Sequence, residues 1–309
     1  MDNRYIRQEP VIGGDVQRLL SESRITILGL GALGSRVLEQ LVRLGCNNIV
    51  IIDRDIVEES NLHRCSLYLE SDIGLPKAHA AYNRTLKINS SINLQYHISD
   101  IYDTPILLLD SDIVMECLDS ISARIFVNDT LKNRVPWIHG SAVSSYGEAK
   151  LFMDNDCYKC IHNNKHSALS CSVNGINPMI AGIVSMMQCN LLLKHLKDKS
   201  NNNNPLYRTN IENMTINSIN IGISCKCNNI IASGKPERYC GGNTYRIPID
   251  KSHYNKILSI NYINDSINTK KYYKHNNIIV TDDSHIITTA ENEKEAVLIV
   301  NDYVNSLLC

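Results

Sequence analysis

Three glycines and an acid form a pattern that is typical of a nucleotide-binding loop. Gly29, Gly31 and Gly34 lie in "GLGALG" between two apolar runs, and Asp53 ends the second run. Glycines at this spacing permit a tight turn that brings backbone N–H groups and a helix N-terminus against a phosphate. An acid about 20 residues further on commonly holds a ribose hydroxyl. The pattern fits NAD and ATP equally, and a turn that serves only packing is the alternative.

The polar residues after Asp53 favour ATP. Asn61, Arg64 and Lys77 follow within one stretch, whereas a dehydrogenase needs no cationic cluster near its phosphates. Adenylation does need one, because an attacking carboxylate approaches the anionic α-phosphate and Arg, Lys and Mg²⁺ neutralise the charge that gathers. Asp119 ends the apolar run "DIVMECLD". We therefore expect it to hold Mg²⁺ at the point where the strand order of the sheet reverses.

The elements that carry these residues read as alternating strands and helices. "RITILGLG" predicts a buried parallel strand, "ALGSRVLEQLVRLG" a helix ended by Gly45, and "NNIVIID" the next strand. "IVMECLDS" predicts a further strand, and "INPMIAGIVSMMQCNLLLKHLK" a long helix that is apolar on most sides. We expect an α/β fold, a Rossmann-like doubly wound and mostly parallel sheet.

The end of the chain differs in character. "NIIVTDDSHIITTA" alternates like a hairpin, and "ENEKEAVLIVNDYVNSLL" is periodic like an amphipathic helix. We predict an adenylation domain over 1–240 and a small α+β C-terminal appendage over 241–309.

Composition excludes several partner classes. The formal charge is −1 with 43% hydrophobic residues, so neither nucleic acid nor a membrane is an expected partner. "MDNRYIRQEP" has no apolar signal core, and "PMIAGIVSMM" is too short to span a bilayer. A cytoplasmic protein is expected. Its eleven cysteines then indicate metal ligation or a reactive thiol rather than disulfides.

An ordered series of motifs resembles one known family. The chain is similar to the ThiF/MoeB/HesA branch of the ubiquitin-activating-enzyme-like superfamily, which adenylates the C-terminal glycine of ubiquitin-like (β-grasp) sulfur-carrier proteins. The matching motifs are "RYIRQ" (4–8), "GLGALG" (29–34), "DRDIVEESNLHR" (53–64), "GLPKAHAA" (74–81), "CLDSISAR" (117–124), "CYKC" (157–160) and "SCSVNGINPMIAGIVSMMQC" (170–189). The tail resembles the small extension of many prokaryotic, especially archaeal, members.

The resemblance implies a role for each matching residue. The nucleotide-binding positions are Gly29, Gly31, Gly34, Asp53, Asp55, Asn61, Arg64, Lys77 and Asp119. Within this set the resemblance implies that Asn61, Arg64 and Lys77 contact the triphosphate and that Asp119 holds Mg²⁺. Arg7 matches an arginine that reaches into the ATP site of the partner subunit, which makes a homodimer the expected unit.

The clustered cysteines suggest zinc and a nucleophile. The C-x-x-C spacing of Cys157 and Cys160 suits one tetrahedral zinc ion, and in the family a second such pair completes a structural site. Here that pair is Cys225 and Cys227, one residue short, with Cys240 as a possible substitute. Cys171 matches a cysteine that bonds covalently to the carrier in some members; a loop position without chemistry is the alternative.

The implied reaction uses ATP and a carrier with a C-terminal Gly-Gly, and a separate sulfur donor then displaces AMP. The product would serve molybdopterin, thiamine or tRNA thiolation, or protein conjugation. Three alternatives differ in class: activation of a carboxylate on a modified tRNA adenosine, a non-catalytic nucleotide-binding scaffold, and a nicotinamide dehydrogenase. The ten histidines show no metal-ligand spacing.

Overall fold

The computed structural model divides into two units, Met1–Lys226 and Cys227–Cys309. The residues that it describes are 3–103, 110–153, 156–162, 175–199, 204–221, 237–238, 244–249, 273–275, 278–280, 285–289, 296–297 and 299–300. The predicted boundary after residue 240 falls in a stretch outside these residues and stays a prediction.

An eight-stranded sheet forms the centre of the first unit, in the order β3-β2-β1-β4-β5-β6-β7-β8. Its strands are β1 (Arg24–Leu28), β2 (Asn48–Ile52), β3 (Asn93–His97), β4 (Ile113–Glu116), β5 (Trp137–Val143), β6 (Tyr146–Phe152), β7 (Leu206–Asn210) and β8 (Thr215–Ile219). The neighbours from β3 to β5 pair in parallel. From β5 to β8 each pair is antiparallel. The Rossmann-like, mostly parallel core is confirmed, and the antiparallel extension from β5 to β8 was not predicted from the sequence.

Helices connect and cover the strands. They are α1 (Glu9–Ile12), α2 (Gly14–Glu22), α3 (Gly34–Leu44), α4 (Lys77–Ile88), α5 (Ile121–Leu131), α6 (Tyr158–His162) and α7 (Pro178–Lys197). Gly45 ends α3 in the left-handed conformation, at φ 95°, which glycine adopts without steric cost. The Asn177 side chain accepts a hydrogen bond from the Met179 N–H and caps α7, which begins at Pro178.

Two apolar layers cover the two faces of the parallel core. Successive side chains of a strand point to opposite faces, so Ile27 of β1 lies in one layer and Leu28 in the other. Because both faces are buried, these strands read as continuous apolar runs. The 20-residue helix α7 is long and apolar enough to cross a membrane by length and composition alone. It instead contributes fully buried Ile180 and Val184 to the first layer.

The second unit contains an antiparallel sheet in the order β11-β12-β13-β10-β9. Its strands are β9 (Glu237–Arg238), β10 (Thr244–Pro248), β11 (Tyr273–His275), β12 (Ile278–Val280) and β13 (His285–Thr289). The predicted hairpin is the β12–β13 pair, with Ile278 opposite Thr288. Residues 296–297 and 299–300 are helical and lie within the segment predicted as an amphipathic helix.

Candidate active site

Three strand ends meet at the carboxyl edge of the parallel core. Beyond β1, the Gly29 N–H donates to the Ile52 carbonyl at the end of β2, at 2.9 Å. The Cys117 N–H, just past β4, donates to the Leu28 carbonyl at 2.9 Å. The chain runs from β1 outward through β2 and β3 and returns to β4 on the other side of β1. The glycine loop therefore lies at the topological switch point, where open α/β sheets bind ligands.

The three positions of the loop are occupied by glycine for different structural reasons. A Cβ on Gly34 would lie 1.8 Å from the Gly29 carbonyl oxygen, and one on Gly29, whose φ is 80°, would lie 2.9 Å from the Cys117 carbonyl oxygen. Both glycines are therefore required by packing of the chain against itself. A Cβ on Gly31 would meet nothing within 4 Å. Gly31 thus leaves open space directly before the N-terminus of α3, where a phosphate could approach the backbone.

Asp53 fixes the glycine loop to the end of β2. Its Oδ2 accepts a hydrogen bond from the Leu30 N–H at 2.6 Å, and its Oδ1 accepts one from the Asp55 N–H at 2.7 Å. Burial raises the pKa of Asp53 above its ordinary value, although the two N–H donors and Lys77 favour the charged form. Each carboxylate oxygen has a further lone pair, so Asp53 can also accept a ribose hydroxyl.

The segment 57–76 lies against this loop and carries two of the predicted phosphate ligands. The Tyr68 hydroxyl donates to the Leu30 carbonyl at 2.8 Å, and the Ser66 N–H donates to Ser35 Oγ in the first turn of α3 at 3.2 Å. Arg64 is two residues before Ser66, and its guanidinium donates to the Ser60 carbonyl. Asn61 is buried and accepts a hydrogen bond from the Glu58 N–H within its own turn.

Lys77 and Asp55 form an ion pair beside Asp53. The Lys77 ammonium at the first residue of α4 lies 3.0 Å from Asp55 Oδ2, and the Lys77 N–H donates to the Asp55 carbonyl at 2.8 Å. The Lys77 side chain is 11% exposed, whereas that of Asp55 is 57% exposed. A buried ammonium thus points from α4 toward the end of β2.

Asp119 lies on the other side of the switch point, beyond β4, and is exposed. Asp119 is close enough to influence Arg54, the residue after Asp53. The pKa of Arg54 is raised mainly by Asp100, with smaller contributions from Asp55 and Asp119. The structure therefore brings Asp119 to the same edge as the residues that follow β2. An exposed carboxylate at this edge is the type of oxygen ligand that Mg²⁺ uses alongside substrate phosphates.

Arg7 lies at the opposite end of α3 from the glycine loop. Its neighbour Gln8 donates through Nε2 to the Leu44 carbonyl at 2.8 Å, and Tyr5 packs against Gly45. Helix α3 has 11 residues, which corresponds to about 16 Å between its ends. Arg7 is exposed, and the structure does not bring it to the glycine loop of its own chain.

The predicted cysteine ligands are only partly described. Cys157 is buried directly before α6, and Cys160 is one turn later, so both thiols lie on one side of the turn, which suits two ligands of one zinc ion. Cys225, Cys227, Cys240 and Cys171 lie outside the described residues. Four other cysteines are buried in the described part of the chain: Cys46, Cys65, Cys117 and Cys189. Burial raises the pKa of the Cys189 thiol to about 12, which keeps it protonated and unreactive.

A buried charged group that was not predicted from the sequence lies beside this edge. Glu116, the last residue of β4, accepts a hydrogen bond from the Leu118 N–H at 2.7 Å and contacts His139 Nδ1. Arg124 lies 3.5 Å from Glu116 and donates to the Leu118 carbonyl at 2.7 Å. Burial opposes ionisation of Glu116, but Arg124 and His139 outweigh it and lower the pKa. This group holds the backbone that leads to Asp119, and "CLDSISAR" contained Arg124 as its signal.

Comparisons with known proteins bear on the family and the fold of the chain. The sequence model of the ThiF family matches residues 3–229. The chain is 41% identical over 154 residues to the sulfur carrier protein ThiS adenylyltransferase of Bacillus subtilis (strain 168), which covers 48% of this chain and 46% of that protein. It is 30% identical over 202 residues to the molybdopterin-synthase adenylyltransferase of Escherichia coli (strain K12). That match covers 62% of this chain and 81% of the E. coli protein.

A solved structure supports the fold. The crystal structure of E. coli MccB with ATP superposes with a TM-score of 0.62 at 24% identity, over 74% of each chain. The chain spans less than half the length of the Bacillus relative, so the activity of that whole protein is not transferred by similarity alone. The match to residues 3–229 takes in every strand of the eight-stranded sheet and the whole edge described above, and on this evidence the chain belongs to the ThiF family.

Proposed function

We propose that this chain is an ATP-dependent adenylyltransferase that activates the C-terminal glycine of a ubiquitin-like sulfur-carrier protein. The observation that carries the proposal is the open space before α3 at Gly31, in a loop that Asp53 holds to the end of β2 and beside which the Lys77 ammonium pairs with Asp55. The names of the Bacillus and E. coli relatives supply the class of substrate. A nicotinamide dehydrogenase would not need the buried ammonium of Lys77 at this place.

The proposed reaction needs positioning and charge neutralisation more than acid–base catalysis. The terminal carboxylate of the carrier, already ionised at neutral pH, attacks the α-phosphate of ATP in line, and pyrophosphate leaves. Backbone N–H groups at the start of α3 face the phosphates, Asp53 accepts the ribose hydroxyl, and Lys77 and Arg64 neutralise charge. Mg²⁺ held by Asp119 would supply further neutralisation when bound.

The place of Arg7 supports a homodimer. An exposed arginine about 16 Å along α3 from the glycine loop cannot serve the ATP site of its own chain, so we infer that it serves the site of a second copy. A separate protein or sulfide supplies sulfur to the acyl adenylate. Zinc held by Cys157 and Cys160 together with cysteines outside the described residues would have a structural role, and we place the reaction in the cytoplasm.

The proposal is tested by mixing the chain with ATP and each Gly-Gly carrier encoded in the same genome and detecting the carrier acyl adenylate by mass spectrometry. Pyrophosphate–ATP exchange then compares Lys77→Ala with Lys87→Ala, an exposed lysine in the last turn of the same helix. We expect a loss of about 100-fold for Lys77→Ala and none for Lys87→Ala. Near-normal exchange in Lys77→Ala, or no adenylate with any carrier, contradicts the proposal.

A further inference from the structure

Two histidines and a glutamate converge on one point beside the β5–β6 hairpin. His162 Nε2 on α6 lies 2.8 Å from Glu148 Oε1 on β6. His139 Nε2 on β5 lies 3.5 Å from the same oxygen. The three ligand atoms lie within 4.8 Å of one another. Both nitrogens therefore point at a single carboxylate oxygen.

The other ring nitrogen of each histidine is occupied by an acceptor. His139 Nδ1 contacts the carboxylate of Glu116, and His162 Nδ1 lies 3.1 Å from the Tyr158 carbonyl oxygen. A carboxylate and a carbonyl can only accept, so Nδ1 of each ring carries the hydrogen. Each Nε2 then directs a lone pair at Glu148, unless a proton or a cation lies between them. His139 Nε2 is also buried and makes no hydrogen bond.

This arrangement has the features of a metal site. An imidazole that binds a metal through one nitrogen normally donates its other N–H to a carboxylate or a backbone carbonyl, as His139 and His162 both do. Arg208 Nε lies 3.2 Å from Glu148 Oε2, so it holds one carboxylate oxygen and leaves Oε1 for the cluster. Ligands about 2.0–2.1 Å from a tetrahedral ion stand about 3.3 Å apart. The 3.5 Å between His139 Nε2 and Glu148 Oε1 is close to this spacing. The 2.8 Å between His162 Nε2 and Glu148 Oε1 would lengthen by about 0.5 Å when an ion is bound.

We propose that His139, Glu148 and His162 bind a divalent transition-metal ion of the Zn²⁺ class through Nε2, Oε1 and Nε2. Two imidazoles and one carboxylate are a donor set that zinc accepts, and they leave one position of a tetrahedral ion for water or an outside group. The ion links α6 to the hairpin. This site is distinct from the thiolate site of Cys160, because residues two apart on a helix lie about 200° apart around its axis.

The two kinds of metal site are separated by the spectrum of Co²⁺. The untagged full-length chain is produced in medium supplemented with Co²⁺, and the purified protein is analysed for metal content and visible absorption. Thiolate ligands give an intense near-ultraviolet charge-transfer band, whereas nitrogen and oxygen ligands give only ligand-field bands. We expect both signatures in the unaltered chain, with about one equivalent of metal assigned to the nitrogen and oxygen ligands.

Variants then assign the ligands. Glu148→Gln and His162→Gln should lose the nitrogen- and oxygen-type bands and about one equivalent of metal while they keep the thiolate band. The matched control is His79→Gln, because His79 is a histidine of α4 whose hydrogen bonds go to Tyr96 and Asn83. Absence of ligand-field bands of this type in the unaltered chain overturns the proposal without any variant. Unchanged metal content in folded Glu148→Gln and His162→Gln also overturns it, because the ion is then bound by other residues.

Discussion

At the scale of residues, contacts of single atoms determine which substitutions each position at the switch point allows. Gly34 and Gly29 are required because a Cβ would collide with backbone, and Asp53 is required because it pairs two N–H groups of the loop. Gly31 is the exception, since nothing in the described chain occupies the space beside it. Among these three glycines, packing of the described chain accounts for Gly29 and Gly34 but not for Gly31, and this difference can be measured.

Alanine substitutions at Gly31 and Gly34 should separate ligand binding from folding. Gly34→Ala places a methyl group 1.8 Å from the Gly29 carbonyl oxygen, so we expect a loss of about 2 kcal/mol or more in the free energy of unfolding. Gly31→Ala should leave that free energy within about 0.5 kcal/mol but weaken ATP binding at least about tenfold, because the methyl group enters the phosphate space. Denaturant unfolding and calorimetric titration with ATP give the two quantities. Unchanged ATP affinity in Gly31→Ala would place the phosphates elsewhere.

The raised pKa of Asp53 predicts how ATP binding depends on pH. As the pH falls from neutrality, Asp53 is protonated at a pH above its ordinary value of 3.8 and can no longer accept the ribose hydroxyl as a carboxylate. We expect the affinity for ATP to decline about tenfold for each pH unit below that pKa. Asp53→Asn removes the titrating group, so its affinity should be lower at neutral pH and should not show this step. Identical pH profiles for the two proteins would exclude Asp53 from the ribose site.

The same shift has the opposite sign for stability. A carboxyl group whose pKa is higher in the folded chain binds its proton more tightly there than in the unfolded chain, so protonation of Asp53 favours the folded state. The contribution of Asp53 to the free energy of unfolding therefore rises, rather than falls, as the pH is lowered through its pKa. Acid is therefore expected to weaken ATP binding at Asp53 while it favours the folded state there.

At the scale of elements, α7 is joined to the sheet by one buried amide. Gln188 Nε2 donates to the Glu116 carbonyl at 2.8 Å and approaches the Ile138 carbonyl at 3.3 Å. A Cβ on Gly140 would lie 2.4 Å from the Gln188 side chain. A buried polar side chain of α7 therefore holds the end of β4 and the start of β5. Because Glu116 leads to Asp119, this contact also positions the switch point.

Replacement of that amide should destabilise the first unit. Gln188→Leu leaves two buried carbonyl groups without their donor, so we expect a loss of about 1–3 kcal/mol. The control, Met186→Leu, changes an exposed side chain of the same helix and should stay within about 0.5 kcal/mol. Trp137 on β5 is the single tryptophan of the chain and is buried, so its fluorescence during urea unfolding reports this unit. Equal midpoints for the two variants would show that the amide contributes nothing.

At the scale of the whole molecule, the distance between Arg7 and the glycine loop predicts shared sites. If Arg7 of one copy serves the ATP site of the other, Arg7→Ala and Arg64→Ala should each be inactive in pyrophosphate–ATP exchange when tested alone. A mixed dimer then contains one intact site and one site with both substitutions. An equimolar mixture, allowed to exchange subunits, should recover about one quarter of the unaltered activity.

A complementation control uses two variants of the same site. A mixture of Arg64→Ala and Lys77→Ala should recover no activity. Arg64 and Lys77 both belong to the chain that holds the glycine loop, so each site of the mixed dimer lacks one of them although both copies of Arg7 are intact. Size-exclusion chromatography with light scattering must show a dimer for every protein. Full activity of Arg7→Ala alone, or a monomer, contradicts the shared site.

Much of the parallel core could be predicted from contiguous sequence. Local patterns of periodicity, capping residues and glycine predict four of its elements: β1, α3 with its end at Gly45, β2 and α7. The antiparallel extension of the sheet could not be predicted in this way, because the pairing of β6 with β7 joins residues far apart in the chain, such as Ala149 and Tyr207. The place of each strand in the sheet is a property of these pairings and not of any local pattern.

The sequence by itself determined the chemistry at the switch point: three glycines that allow backbone against phosphate, an acid after β2, and cations within the next stretch. These are local because a loop, a helix N-terminus and a strand end are each built from neighbouring residues. Only the tertiary structure decided that His139, Glu148 and His162 meet. The β5–β6 register sets His139 opposite Lys150 and Ser141 opposite Glu148, which puts His139 and Glu148 on one face of the sheet, and α6 then adds His162. No spacing along the chain encodes that meeting, because it depends on the register of two strands and on the docking of a helix.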